Sequence, residues 1–176
     1  LLQEKGQLQQ ALDALDQSVR LDPTNVDAFM ERGDVYRLMG RLEEAIVDYS
    51  DVIARRPDDD EAYIRRGASR AKLNRFQLSV DDFTRAINIS AQPDVYRNRG
   101  LVYYNMGNYE EAINDFEVTL SSSVVTDILK TVAYNDRGLT YIKMGQYGMA
   151  IEDFDKALEL DANFVIAYTN RGDAWQ

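Results

Sequence analysis

The sequence predicts an all-α protein built as a tandem array of antiparallel helix hairpins. Three observations predict it. Gly follows Arg at Gly33, Gly67, Gly100, Gly138 and Gly172, at spacings of 34, 33, 38 and 34 residues. A second series, Gly6, Gly40, Gly107 and Gly145, stands seven residues after the first wherever both are present. Between the glycines, apolar residues step at helical intervals, as in Phe29 to Tyr36 and in Leu42, Ala45, Tyr49 and Val52. Self-similarity at such a period marks a repeat architecture.

Each unit follows from its own residues. In the stretch from Asp27 to Asp59, one amphipathic helix carries Phe29, Val35 and Tyr36, and Gly40 punctuates its C-terminus. A second helix carries Leu42 to Val52 and ends at Arg56-Pro57, since the residue before proline is pushed out of the helical region. Asn74 takes the place of the second-series Gly in the next unit, and Asn tolerates a left-handed backbone best after Gly. The units read as 26–59, 60–92, 93–130 and 131–164, preceded by the C-terminal part of a repeat at 1–25 and followed by the first helix of another at 165–176. The whole of 1–176 thereby forms one array, and its ends read as those of a piece of a longer protein; LLQEKGQLQQ has no charged start followed by an apolar core. The spacing of 38 marks an insertion near 121–126. Three consecutive serines favour a loop at Ser121–Val125, with Thr126 as N-cap of a lengthened helix starting about Asp127.

Composition narrows the functions. The chain has no Cys and no His, which removes thiolate nucleophiles, disulfides, zinc fingers and His-based triads. A net charge of −10 argues against nucleic acid and weakly favours a basic partner. No run of apolar residues is long enough for membrane insertion. Neither a glycine-rich phosphate loop, a metal-ligand cluster nor a nucleophile elbow is present, so no catalytic residue, cofactor or metal is expected.

With units starting at Val26, Asp60, Pro93, Thr131 and Val165, the pattern resembles the tetratricopeptide repeat (TPR) family. The resemblance rests on Phe29, Tyr63, Tyr96, Tyr134 and Tyr168 at position 4, the Arg-Gly series at position 8, and Tyr36, Tyr103, Tyr141 and Trp175 at position 11. It rests also on Ala11, Ala45, Ser79, Ala112 and Ala150 at position 20 and on Leu15, Tyr49, Phe83, Phe116 and Phe154 at position 24. Arg70 departs at position 11, and the proline of position 32 (Pro23, Pro57) becomes Ala91, Val124 and Ala162 later. The resemblance implies a right-handed superhelix, a solenoid of about 34 residues per repeat, whose scaffold serves protein binding. Small residues at positions 8 and 20 admit close helix approach, and ten of the eleven tyrosines are expected at packing positions, Tyr104 being the exception.

Arg stands at position 7 throughout (Arg32, Arg66, Arg99, Arg137, Arg171) and Asp at position 23 in four units (Asp48, Asp82, Asp115, Asp153). Each Arg precedes its Asp by 16 residues, which predicts an Arg–carboxylate bridge within a hairpin or to its neighbour. The alternative is a basic stripe for anionic ligands.

The resemblance implies an inner face lined by the first helix of each unit, mainly at positions 2, 5, 9 and 12. These are Asp27, Met30, Asp34 and Arg37; Glu61, Ile64, Ala68 and Ala71; Asp94, Arg97, Leu101 and Tyr104; Val132, Asn135, Leu139 and Ile142; and Ile166, Thr169 and Asp173. The early members are acidic and the later ones apolar. This suggests a groove for an extended or helical peptide with basic and apolar anchors, whereas the alternative buries the apolar members in the array. The carboxylate clamp of some family members is not matched: around Asn98 its places hold Ile64, Ala68, Val132 and Asp136. Two further readings are self-association into a homo-oligomer through exposed array ends, and recruitment of substrate for a catalytic domain elsewhere in a larger enzyme.

Overall fold

The computed structural model describes residues 2–175, with side chains described from Gly6 onward. Leu1 and Gln176, the outermost residues of the expected array, lie outside the described residues. Every regular element among the described residues is an α-helix, and the chain divides into two compact units, Leu1–Ser90 and Ala91–Gln176. The first unit holds α1 (Leu2–Leu21), α2 (Val26–Leu38), α3 (Leu42–Arg55), α4 (Asp60–Lys72) and α5 (Phe76–Ile89). The second holds α6 (Pro93–Met106), α7 (Tyr109–Ser121), α8 (Asp127–Lys143), α9 (Tyr147–Leu160) and α10 (Val165–Ala174). The division falls in the connector where Ala91 stands at the proline position.

Local chemistry sets the helix ends. Asn25, Asp59 and Thr126 accept the backbone N–H of Ala28, Ala62 and Leu129, each satisfying an orphan donor at a helix start. Thr126 caps a helix that starts at Asp127, as the serine run and the long spacing predict. Within each hairpin the turn closes on one bond pattern: Arg41 N–H to Tyr36 O, Arg75 to Arg70, Asn108 to Tyr103 and Gln146 to Tyr141, all at 2.8–3.0 Å. The residue that permits it is left-handed, and Asn74 takes this role at φ 58° where the other turns use Gly.

The paired helices approach through position 8. A Cβ on Gly138 would lie 2.7 Å from Cε1 of Phe154, which is fully buried. Gly67 is less tight, its nearest atom being Cβ of Asp82 at 3.2 Å. In that hairpin Ser79 replaces the usual Ala and donates its hydroxyl to Gly67 O at 2.7 Å, so the buried oxygen is satisfied.

The tyrosines need a correction. Tyr49 and Tyr141 are buried, but Tyr147 and Tyr168 are about half exposed, at 52% and 48%. Tyr109 is covered by the ring of Tyr104, 5.9 Å away between centroids, whereas the residue matching Tyr104 in the next hairpin is Ile142, so Tyr147 has no ring to lean on there. Of the position-4 rings, Phe29 is buried, Tyr63, Tyr96 and Tyr134 are half-buried and Tyr168 is exposed, and each serves as a platform for an arginine.

Candidate functional site

The repeated arginines are spent inside the scaffold. Arg32 donates from Nε and Nη2 to both carboxylate oxygens of Asp48 at 2.8 and 2.7 Å, and Arg137 does the same to Asp153 at 2.7 and 2.8 Å. Arg66–Asp82 and Arg99–Asp115 repeat this fork. The free Nη1 side turns to the preceding hairpin: Arg32 to Asp16 at 2.9 Å, Arg66 to Ser50 at 3.0 Å, and Arg137 toward Glu117 at 3.7 Å. Arg171 pairs with Asp155 at the equivalent place. The guanidinium groups also lie over rings, Arg137 over Tyr134 and Tyr141, and Arg99 over Tyr96 and Tyr103. Arg70, the departure at position 11, replaces one such ring with a second donor to Asp82 at 2.7 Å. Bidentate pairing to Asp48 and Asp115 holds Arg32 and Arg99 above the ordinary arginine value, with burial opposing. These four carboxylates are almost wholly buried, so the basic-stripe reading has no free cations to stand on.

On the predicted inner face of the first unit, the acidic residues already have partners. Exposed Asp27 pairs with Arg56 at 2.7 Å. Asp34 accepts from Tyr49 Oη at 2.8 Å and pairs with Arg65, with Arg37 Nε at 3.7 Å. Arg65 also donates to Glu61 at 2.7 Å. Met30 packs on the core of Phe29, Val52 and Ala62, and Ile64 and Ala68 are half-buried.

In the second unit the face is polar at one level and apolar at the next. Arg97 Nε donates to Asp136 at 2.7 Å, tying α6 to α8, and Asn170 donates to Asn135 at 2.8 Å, tying α10 to α8. Burial pushes the Asp136 carboxyl above the usual carboxylate range, while Arg97 pulls it back. Asn135 is only 6% exposed and serves the packing of α8 on α10, which corrects its assignment to the open face. One helical turn beyond these bonds stand Leu101 on α6 and Leu139 on α8, followed by Tyr104 and Ile142. All four are half-buried; Leu139 and Ile142 lean on the core of Tyr141, Phe154 and Ala157. Asp94, Ile166, Thr169 and Asp173 are exposed. The coupling residues Arg65, Asp136 and Asn170 all occupy position 6, which the sequence suggested only as part of a carboxylate clamp; charge complementarity between that position and positions 5 and 9 of the neighbouring unit is the signal for the ion pairs. Among the described residues there is no acidic cluster able to hold a metal ion, and no helix is long and apolar enough to cross a membrane.

Comparison with known proteins agrees with the hairpin geometry. The sequence profile described as Tetratricopeptide repeat matches residues 93–117 and 131–164, and a second, described as TPR repeat, matches 1–40 and 33–74. The chain belongs to the tetratricopeptide repeat family. This TPR chain is 29% identical to human Tetratricopeptide repeat protein 13 over 120 residues, covering 65% of the chain and 14% of that protein. It is 27% identical over 104 residues to Hsp70-Hsp90 organizing protein 3 of Arabidopsis thaliana, covering 58% of the chain and 19% of the relative. The TPR chain thus spans under a fifth of the length of either relative. Its fold resembles the crystal structure of MamA with a TM-score of 0.82 at 29% identity, covering 91% of this chain and 92% of that one.

Proposed function

We propose that this TPR array is a protein-interaction scaffold that holds an extended or helical segment of a partner protein on the inner face of its second unit. Leu101, Tyr104, Leu139 and Ile142 are the contact residues. The observation that carries the reading is their arrangement. Arg97–Asp136 ties α6 to α8, and the apolar residues of the next turns on these two helices are only partly buried. Four such residues on neighbouring helices form a strip of the kind that marks an interaction site. The polar groups beside it bond to one another, which leaves the strip to select by apolar shape.

The acidic members of the first unit contribute less than their charges suggest, since Asp27, Asp34 and Glu61 each have an arginine partner. Basic residues in the partner meet Asp94 and Asp173 instead. Similarity to an Hsp70-Hsp90 organizing protein supports a scaffolding role. The segment proposed is gripped by its side chains and not by a terminal carboxylate, because Arg97 is committed to Asp136 and the clamp places hold Ile64, Ala68 and Val132.

The test uses peptides selected from a random phage-displayed library on the intact chain. Leu101→Glu with Leu139→Glu is expected to weaken the selected peptides by about 100-fold, the loss of two apolar anchors, with the far-UV circular dichroism spectrum unchanged. Unchanged binding would remove the strip as the site. Loss of helicity would make both leucines core residues.

A further inference from the structure

The insertion before α8 builds a feature that no other hairpin has. Helices α2, α4, α6 and α10 all start at position 1 of their repeats, whereas α8 starts four residues earlier, at Asp127, and runs for 17 residues. Its extra turn therefore reaches past the starting level of its neighbours in the second unit. The face of that turn toward the end of α9 borders an open hollow of about 280 Å3, lined by Ile128, Thr131, Val132, Leu160, Asp161 and Phe164, with Asp127 at its rim. Ile128 is 81% exposed and Leu160 37% exposed, although both are walls of a concave apolar site. Water-exposed aliphatic groups around a cavity are what an absent side chain would cover.

Size and charge define the occupant. A volume of about 280 Å3 lies just below the range of small-molecule sites and suits one anchoring side chain. The rim carries the carboxylates of Asp127 and Asp161, and the C-terminus of α9 adds the negative end of its dipole beside Asp161. Lys130 stands 3.8 Å from Asp127 across an exposed gap, an arrangement worth little. The Asp161 carboxylate accepts a local backbone N–H, that of Asn163, at 2.9 Å.

We propose that this pocket docks a protein partner through a single Leu-, Ile- or Met-sized side chain followed directly by Lys or Arg, the cation resting between Asp161 and Asp127. The site is separate from the Leu101–Leu139 strip: Ile128 and Leu139 lie eleven residues apart on α8, about 16 Å along its axis. It stands or falls independently of that strip.

The experiment follows backbone amide shifts of the whole 15N-labelled chain while the capped hexapeptide Ser-Gly-Leu-Arg-Gly-Ser is titrated in. The expected shifts centre on Ile128, Thr131, Val132, Leu160, Asp161 and Phe164. The analogue with Glu in place of Arg, and the variant Asp161→Asn, which keeps the turn to Asn163, should each bind more weakly, by up to about fivefold. Ile128→Glu, at an exposed position, should abolish the shifts, while Leu101→Glu/Leu139→Glu should leave them in place. Shifts elsewhere, equal binding of the Glu analogue, or no shifts at millimolar peptide would overturn the proposal. So would shifts at these amides that appear on concentrating the chain alone, because a second copy would then be the occupant.

Discussion

Replacing Arg137 by Ala removes both donors from a carboxylate that is 2% exposed. The two bonds are 2.7 and 2.8 Å long, and the nearest remaining cation is Lys156, 4.0 Å away and half exposed. Breaking one side of a buried pair costs about 3–5 kcal/mol, because the other side stays desolvated and unpaired. Lost contact with the rings of Tyr134 and Tyr141 adds about 0.5–1 kcal/mol. Arg137→Ala is therefore expected to lose about 3–5 kcal/mol in urea unfolding followed by circular dichroism at pH 7. The double replacement Arg137→Met with Asp153→Leu should recover most of the loss. A loss below about 0.5 kcal/mol at pH 7 would refute the buried fork.

Three other outcomes follow from the structure. Gly138→Ala forces a methyl against Phe154 and should cost about 1 kcal/mol or more in the same assay. Gly172→Ala meets nothing within 4 Å and should gain about 0.5 kcal/mol from helix propensity. Asp136→Asn should leave stability at pH 7 unchanged or raise it by up to about 1 kcal/mol. Burial raises the Asp136 pKa above its unfolded value, so the wild-type contribution is full below the ordinary aspartate range and fades as pH rises through the folded value. The variant's advantage should open over that window in paired unfolding curves and close in acid.

The hairpin scaffold was legible because it is restated. Position 8 must be small where Phe154 lies against it, position 23 must be acidic where Arg137 forks onto it, and the turn must be left-handed where Asn74 stands. Each requirement recurs every 34 residues or so and leaves a periodic mark. The start of α8 was readable for a different reason, since Thr126 and the serines act locally. The candidate face was legible only in outline. Helical spacing places Leu101 and Leu139 on the first-helix face, but the fate of its polar members depends on contacts between neighbouring hairpins. Asn135 looks like an open-face amide until Asn170, 35 residues on, is seen to bind it. Asp34 looks like part of an acidic surface until Arg65 of the next helix pair neutralises it. The cavity beside α8 left no mark in the sequence beyond the extra residues, because Ile128, Leu160 and Phe164 converge through the fold and not through spacing.

Amide-resolved mapping of the tightest selected peptide tests the proposed binding face most directly. Shifts and slowed hydrogen exchange should concentrate on α6 and α8, from Leu101 to Tyr104 and from Leu139 to Ile142. Perturbation centred instead on α7 and α9, with those residues unmoved, would contradict the inner-face site.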